Sequence, residues 1–96
     1  MNEAFASVHN HHEAAVFDAV LAAAPRYPAL AGRAELLADV ACVALNRLPP
    51  RYIRHSVDLH FYQPERERLD DERALRAAVR RAFEFVQARE AMGARS

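Results

Sequence analysis

The chain has 96 residues, which is enough for one domain built around a single hydrophobic core. Its composition, 52% hydrophobic and 27% charged, is typical of a folded globular protein and excludes intrinsic disorder. The 13 cationic and 13 acidic side chains balance, so the net charge of zero gives no global attraction to nucleic acid or to a membrane surface.

The first predicted helix begins near His11 and ends before Pro25. Asn10 and Glu13, three residues apart, match a capping box at its start. Apolar side chains at helical spacing predict one buried stripe, formed by Val16, Phe17, Val20, Leu21 and Ala24. Pro25 and Pro28 then open a turn-rich connector.

The second predicted helix runs from about Arg33 to Arg47, and its apolar side chains wrap most of its circumference. They are Leu36, Leu37, Val40, Ala41, Val43, Ala44, Leu45 and Leu48. We therefore expect this helix to be central and the most buried, with Cys42, the only cysteine, buried among these side chains. Pro49 restricts Leu48 to extended conformations and ends the helix there.

The segment 51–62, RYIRHSVDLHFY, alternates apolar and polar residues, which predicts an extended strand. Because no hairpin partner is close in the sequence, its backbone groups need a partner elsewhere. We expect the strand to pair with the same segment of a second subunit. An irregular extended arm packed on the helices is the alternative.

The remaining chain predicts a short turn or helix and then a long helix, from a cap at Asp70 or Asp71 to a stop at Gly93. Its predicted buried stripe is Leu75, Ala78, Val79, Ala82, Phe83 and Val86. The fold class is therefore mostly α: a small helical domain of three to four helices with one short extended segment after a Pro-Pro corner. We expect residues 1–96 to form a single domain with its core at about 8–92.

Neither a metal site nor a catalytic site is predicted. His9 and His12 have a spacing that metal sites use, but a structural zinc takes four ligands, commonly including cysteine. Two glycines are too few for a phosphate-binding loop. No carboxylate pair or nucleophile is arranged around His55 or His60. We interpret the cluster of His9, His11 and His12 as polar residues at a helix start that line the edge of a pocket.

The stretch ALNRLPPRYIRH, residues 44–55, is the main candidate for a ligand site. Residues 26–57 hold five arginines against two acids. The helix dipole explains Arg47 at a helix C-terminus, but not Arg51 or Arg54. Guanidinium groups near Tyr52, presented by a rigid corner, suit an anionic aromatic ligand through phosphate forks and stacking. The alternative is a structural corner whose arginines pair with acids or backbone carbonyls.

Residues 37–55, LADVACVALNRLPPRYIRH, resemble the signature of the late competence development protein ComFB family. The N-x-x-E-x-x-V opening of that family is similar to Asn10, Glu13 and Val16 here. The resemblance implies a small, mostly helical, homodimeric domain. Members have been described as bacterial receptors for cyclic di-GMP and, in some cases, cyclic di-AMP. Some carry a zinc-binding cysteine cluster before the second helix, but residues 29–39 contain no cysteine, so we carry over no zinc.

The resulting prediction is a non-enzymatic receptor for a cyclic dinucleotide, with cyclic di-GMP favoured over cyclic di-AMP. It would act in the cytoplasm as a homodimer, without a membrane span or direct nucleic-acid binding, and signal through an unidentified downstream protein. The predicted ligand-binding residues are Arg47, Arg51, Tyr52, Arg54, His55, Asn46 and Asn10. The alternative is a protein–protein interaction module with no small-molecule ligand.

Overall fold

The computed structural model describes residues 2–55, 57 and 63–95, which form four α-helices, one 3₁₀ helix and one two-stranded sheet. The helices are α1 (Asn2–Ala6), α2 (His12–Ala23), α3 (Ala34–Arg47) and α4 (Glu65–Arg95), and the 3₁₀ helix is Ala24–Arg26. The strands are β1 (His9–Asn10) and β2 (Tyr52–Ile53). The predicted fold class is confirmed. Among the described residues, no helix combines the length and the apolar character needed to cross a bilayer.

The core lies where α3 packs against both α2 and α4. All but Leu75 of the stripe predicted on α4 are buried, and Leu75 packs at its edge. Phe83, fully buried, stacks on Tyr27 from the α2–α3 connector, with ring centroids 4.2 Å apart and planes 5° apart. Burial of one such aromatic side chain contributes about 1.5–3 kcal/mol, so this pair fixes the connector against α4.

The start of α2 differs from the predicted capping box. The helix begins at His12, and His11 at the N-cap makes no side-chain cap hydrogen bond. Asn10 Oδ1 instead accepts a hydrogen bond of 3.2 Å from the backbone N–H of His12, as in an Asx turn. Phe17 and Leu21 are also not in the core: their exposed fractions are 47% and 65%, because the apolar stripe of α2 is wider than its contact with α3.

Helix α3 spans almost the residues predicted, and Leu48 after it is extended, with φ −102° and ψ 135°. This confirms that the prolines end the helix. The prediction that Cys42 is buried is wrong. Its side chain lies on the face of α3 beside Phe17 and Leu21, in a groove that stays open to solvent. An apolar sequence neighbourhood did not reveal which side of α3 faces the core.

Within the described residues, the predicted strand is confirmed at Tyr52–Ile53 and is wrong at Arg54 and Val57. Only Tyr52–Ile53 are a strand, Arg54 forms a bend, and Val57 is helical; residue 56 and residues 58–62 lie outside the described residues. Strand β2 pairs antiparallel with β1 of the same chain, His9 opposite Ile53 and Asn10 opposite Tyr52. This internal ladder forms because α3 returns the chain to the start of α2; pairing of the segment with a second subunit stays a prediction.

Helix α4 is continuous and does not break at Asp70 or Asp71, and Gly93 lies inside it. It begins directly after Pro64, where a proline is tolerated because a backbone N–H at the start of a helix has no acceptor within the helix. Arg68 supports the first turns through ion pairs with Glu65 at 3.5 Å and Glu72 at 2.9 Å. The predicted cap residues are therefore ordinary positions of the helix.

Candidate ligand site at the Pro-Pro corner

A pocket of about 370 Å³ lies beneath the Pro-Pro corner, between the end of α3 and the N-terminal part of α4. We call it the corner pocket; it is lined by His12, Leu48, Pro49, Pro50, Arg51, Glu67, Asp71 and Ala74. Of the seven predicted site residues, Arg51 is the one that lines it.

The backbone N–H and the backbone carbonyl of Arg51 are both hydrogen-bonded to the two residues that precede α2. Its backbone N–H donates to Asn10 Oδ1 at 3.2 Å, and its carbonyl accepts a hydrogen bond from the backbone N–H of His11 at 2.6 Å. Its guanidinium pairs with the Glu67 carboxylate, and its side chain keeps 35% of its surface exposed. The hydrogen bond to Glu67 is the main cause that raises the pKa of Arg51, against the effect of burial. Arg51 is therefore a fixed, permanent cation at the pocket wall.

Asn10 positions this wall. Its side chain is buried, and Oδ1 accepts both the His12 and the Arg51 backbone N–H. An amide oxygen has two lone pairs, so both are in use. A ligand contact from Asn10 would have to come from its Nδ2 group.

Two carboxylates give the corner pocket a mixed charge. Glu67 and Asp71 are one turn apart on α4, and Asp71 Oδ2 accepts a hydrogen bond of 2.6 Å from Gln63 Nε2. Sequence reasoning missed both, because they are 16 and 20 positions from Arg51 and resemble the other solvated acids at the start of α4. Their i, i+4 spacing, which puts them on one helix face, was the only available signal.

The histidine cluster reaches the same pocket. His12 is buried and lines it, while the half-buried His11 ring lies 5.3 Å from the His12 ring between centroids. Burial, and next the neighbouring His12, lower the pKa of His11, and only Asp71 opposes them. The neutral form of His11 is therefore favoured. Across the described part of the chain, no three His, Cys, Asp or Glu side chains are grouped as metal ligands would be.

Three predicted residues follow Arg51 along the outer side of the corner. Tyr52 is 68% exposed, and because successive strand residues point to opposite faces, its ring does not line the corner pocket. Arg54 Nε donates to Ser7 Oγ at 2.7 Å, which ties the corner to the residue after α1. His55 is exposed. These side chains can contact only a ligand that extends out of the pocket.

The two predicted residues on α3 are placed apart from Arg51. Arg47 is exposed at the helix end. Asn46 donates through Nδ2 to the Cys42 carbonyl at 3.0 Å and lies in a separate concavity of about 610 Å³. We call this concavity the apolar groove; it is lined by Phe17, Val20, Leu21, Leu37, Ala38, Ala41, Cys42, Leu45 and Asn46.

Comparison with known proteins places the chain in a family. No curated protein and no solved structure matches it. The family model described as late competence development protein ComFB matches residues 9–90, which include both strands, the corner pocket and all of the core residues. The match covers most of the chain, and the chain therefore belongs to the ComFB family.

Proposed function

We propose that the protein is a non-enzymatic receptor for a cyclic dinucleotide, with cyclic di-GMP favoured over cyclic di-AMP, and that Arg51 in the corner pocket is its central ligand contact. The observation that carries the proposal is the fixation of Arg51. Hydrogen bonds on both sides of its backbone and two preceding prolines hold it, while its guanidinium remains partly exposed in a concavity. Such preorganisation lowers the entropy lost on binding.

The chemistry of Arg51 suits a phosphate diester. A guanidinium binds a phosphate or the O6 and N7 edge of guanine through two parallel hydrogen bonds. In the free protein Glu67 occupies this position. A ligand phosphate would replace the Glu67 carboxylate as the partner of Arg51, so the guanidinium stays paired in both states.

The Asp71 carboxylate favours guanine over adenine. The Watson–Crick edge of guanine offers an N1–H and an amino group, which are both donors, whereas adenine presents an acceptor at N1. Asp71 lines the pocket beside Arg51 and supplies carboxylate acceptors for such donors. Tyr52, Arg54 and His55, on the outer side of the corner, are available to the rest of a ligand larger than the pocket.

A homodimer is part of the proposal. A two-fold symmetric ligand pairs naturally with a two-fold symmetric protein. The apolar groove supports a partner chain, because no charged side chain lines it and Leu21 in it is 65% exposed. We propose a second copy as the occupant, since a 96-residue chain has a small core and gains stability by association. Ligand binding in the cytoplasm would then change a surface that a downstream protein contacts.

Isothermal titration calorimetry with cyclic di-GMP, cyclic di-AMP and GTP tests the receptor function. Saturable binding of one cyclic dinucleotide but not GTP is expected, with a dissociation constant below about 10 μM, or roughly −7 kcal/mol. Arg51→Gln should abolish it. Arg66→Gln should leave it unchanged, because Arg66 is exposed on α4 and does not line the corner pocket. No heat with any of the three nucleotides, together with an unchanged melting temperature, would contradict the proposal.

The alternative function is a protein–protein interaction module without a small ligand, and the exposed apolar groove is the observation that favours it. In that case neither the unsubstituted protein nor Arg51→Gln would give binding heat with any of the three nucleotides. Substitutions in the groove would instead abolish capture of the partner protein.

A further inference from the structure

A second concavity, of about 380 Å³, lies between the C-terminal part of α2 and the middle of α4. We call it the arginine pocket; it is lined by Ala19, Ala22, Ala23, Arg26, Tyr27, Arg76, Val79, Arg80 and Phe83. Three of these nine residues are arginines and none is an acid. We propose that this pocket is a second anion site, separate from the corner pocket, that binds a small organic phosphate.

The three guanidinium groups have no carboxylate partners among the residues that the structure describes. The ion pairs found there use Arg33, Arg51, Arg68 and Arg89 instead. The acids nearest along α4 do not compensate: Glu72 is paired with Arg68, and Glu84 does not line the pocket. The arginine pocket is therefore a concentrated positive charge in a protein whose net charge is zero.

Repulsion among the three arginines makes the pocket electrostatically unfavourable when no anion is bound. Arg76 and Arg80 are one helical turn apart on α4, and like charges at this spacing destabilise a helix. Arg26, at the end of the 3₁₀ helix, brings a third positive charge to the same concavity from across the interface. A phosphate placed among them would accept charge-assisted hydrogen bonds and remove this repulsion.

The floor of the pocket indicates what the phosphate is attached to. Three alanines leave space beside α2, and the stacked rings of Tyr27 and Phe83 form a rigid wall because Phe83 is fully buried. An apolar floor beneath a cationic rim fits an anion joined to a flat or apolar body better than it fits a free inorganic ion. A phosphate monoester of an aromatic group has this chemistry.

The arginine pocket is independent of the corner pocket. The two share no lining residue, and the corner pocket contains two carboxylates where the arginine pocket contains none. On α2, the corner pocket uses His12 while the arginine pocket begins at Ala19. These positions are seven residues apart, which is about 10 Å along the axis, whereas on α4 Ala74 of the corner pocket and Arg76 of the arginine pocket are two positions apart. A substitution can therefore abolish binding at one pocket and leave binding at the other intact.

The test is a titration of the ¹⁵N-labelled full chain with phenyl phosphate, followed by NMR at constant ionic strength. Saturable shifts are expected at the backbone amides of Ala22, Ala23 and Arg26. Inorganic phosphate should shift the same amides with weaker affinity, and phenol, which lacks the phosphate, should not. Arg76→Gln should raise the dissociation constant for phenyl phosphate about tenfold, and adding Arg80→Gln should abolish saturation.

A control with the same change in charge is Arg66→Gln combined with Arg81→Gln, because both arginines are exposed on α4 outside the arginine pocket. This control should bind phenyl phosphate as the unsubstituted chain does. Equal weakening in the control, shifts confined to the corner pocket, or no saturable shift would each overturn the proposal. Arg51→Gln should leave phenyl phosphate binding intact, so the result is distinguishable from failure of the cyclic dinucleotide site.

Discussion

The backbone N–H of Arg51 donates a 3.2 Å hydrogen bond to Asn10 Oδ1 and so joins two segments that are 41 positions apart in the chain. The same oxygen accepts the backbone N–H of His12 at 3.2 Å. One buried amide therefore aligns the Pro-Pro corner with the start of α2. The positions of His12 and Arg51 in the corner pocket both depend on it.

Substitution Asn10→Ala should destabilise the protein and loosen Arg51. It leaves two backbone N–H groups without their acceptor, which costs about 1–3 kcal/mol in the free energy of unfolding. Asn46→Ala is the matched control: that amide is exposed and bonds only within its own helix turn, so a change below about 0.5 kcal/mol is expected. Urea denaturation measures both. Equal losses for the two variants would contradict a structural role for Asn10.

Among the aromatic residues that the structure describes, Phe83 should be the most costly to truncate. It is fully buried and stacks on Tyr27, so Phe83→Ala removes a large apolar side chain and leaves a cavity, at about 3–5 kcal/mol. Phe85 on the same helix is 50% exposed, and Phe85→Ala should cost well under half as much. Thermal and urea unfolding compare the two. Similar losses would show that the Tyr27–Phe83 pair does not anchor the connector.

Helices α2, α3 and α4 could be predicted from the sequence because the pattern is local, whereas α1 was not predicted. Apolar spacing identified the α4 stripe around Phe83, and the prolines after Leu48 identified the end of α3. The same patterns do not say what covers an apolar face. Leu21 and Cys42 were therefore expected in the core, although they line a groove that no described element fills.

The candidate site could be predicted only in part, for the same reason. Two prolines followed by Arg51 are a contiguous signal of a rigid, cationic corner. Glu67, Asp71 and His12 come from remote segments. Packing of α4 on α3 brings the two carboxylates to Arg51, and the internal β1–β2 ladder, which pairs residues more than 40 positions apart, brings His12. The capping-box interpretation of Asn10 likewise could not anticipate that its oxygen would bond a distant backbone group.

Removing the charge of Glu67 should strengthen ligand binding. Its carboxylate pairs with Arg51 and competes with a ligand phosphate for the same guanidinium. Glu67→Gln should therefore lower the dissociation constant of cyclic di-GMP several-fold, while stability changes little because the pair is partly exposed. Glu65→Gln, an exposed acid on the first turn of α4, is the calorimetric control. Weaker binding in Glu67→Gln would mean that this carboxylate itself contacts the ligand.

Acid should destabilise the protein through His11. Burial, and then His12, lower the pKa of His11 below its ordinary 6.5, with Arg51 and His9 acting in the same direction and Asp71 opposing. Below the ordinary pKa the unfolded chain binds this proton more readily than the folded chain does. Stability is therefore fully present above that value and is lost as the pH falls through the folded pKa.

The melting temperature should accordingly fall between about pH 7.5 and pH 5.5, which spans the ordinary pKa of histidine. His11→Gln, which cannot titrate, should reduce this fall. His55→Gln is the control because His55 is exposed, and it should leave the fall unchanged. An identical pH profile for His11→Gln and the unsubstituted protein would contradict the contribution of His11.

A charge in the apolar groove should separate the proposed dimer into monomers. Leu21 is 65% exposed in the single chain, so Leu21→Glu leaves the fold of each copy intact. In a dimer packed through this groove the new carboxylate would be buried without a partner, which opposes association. Sedimentation velocity should therefore show a dimer for the unsubstituted protein and a monomer for Leu21→Glu. Met92→Glu, at an apolar position 71% exposed outside the groove, should remain dimeric.

Cys42 gives a second readout of the same interface, because its thiol is exposed in the groove and is the only one in the chain. A covering partner should slow its reaction with a maleimide, and Leu21→Glu should restore fast labelling. A dimer that persists in Leu21→Glu with Cys42 still reactive would place the interface on another face. A monomer at every concentration of the unsubstituted protein would instead leave the groove to a different protein. The site on Arg51 would then have to bind its ligand within one chain.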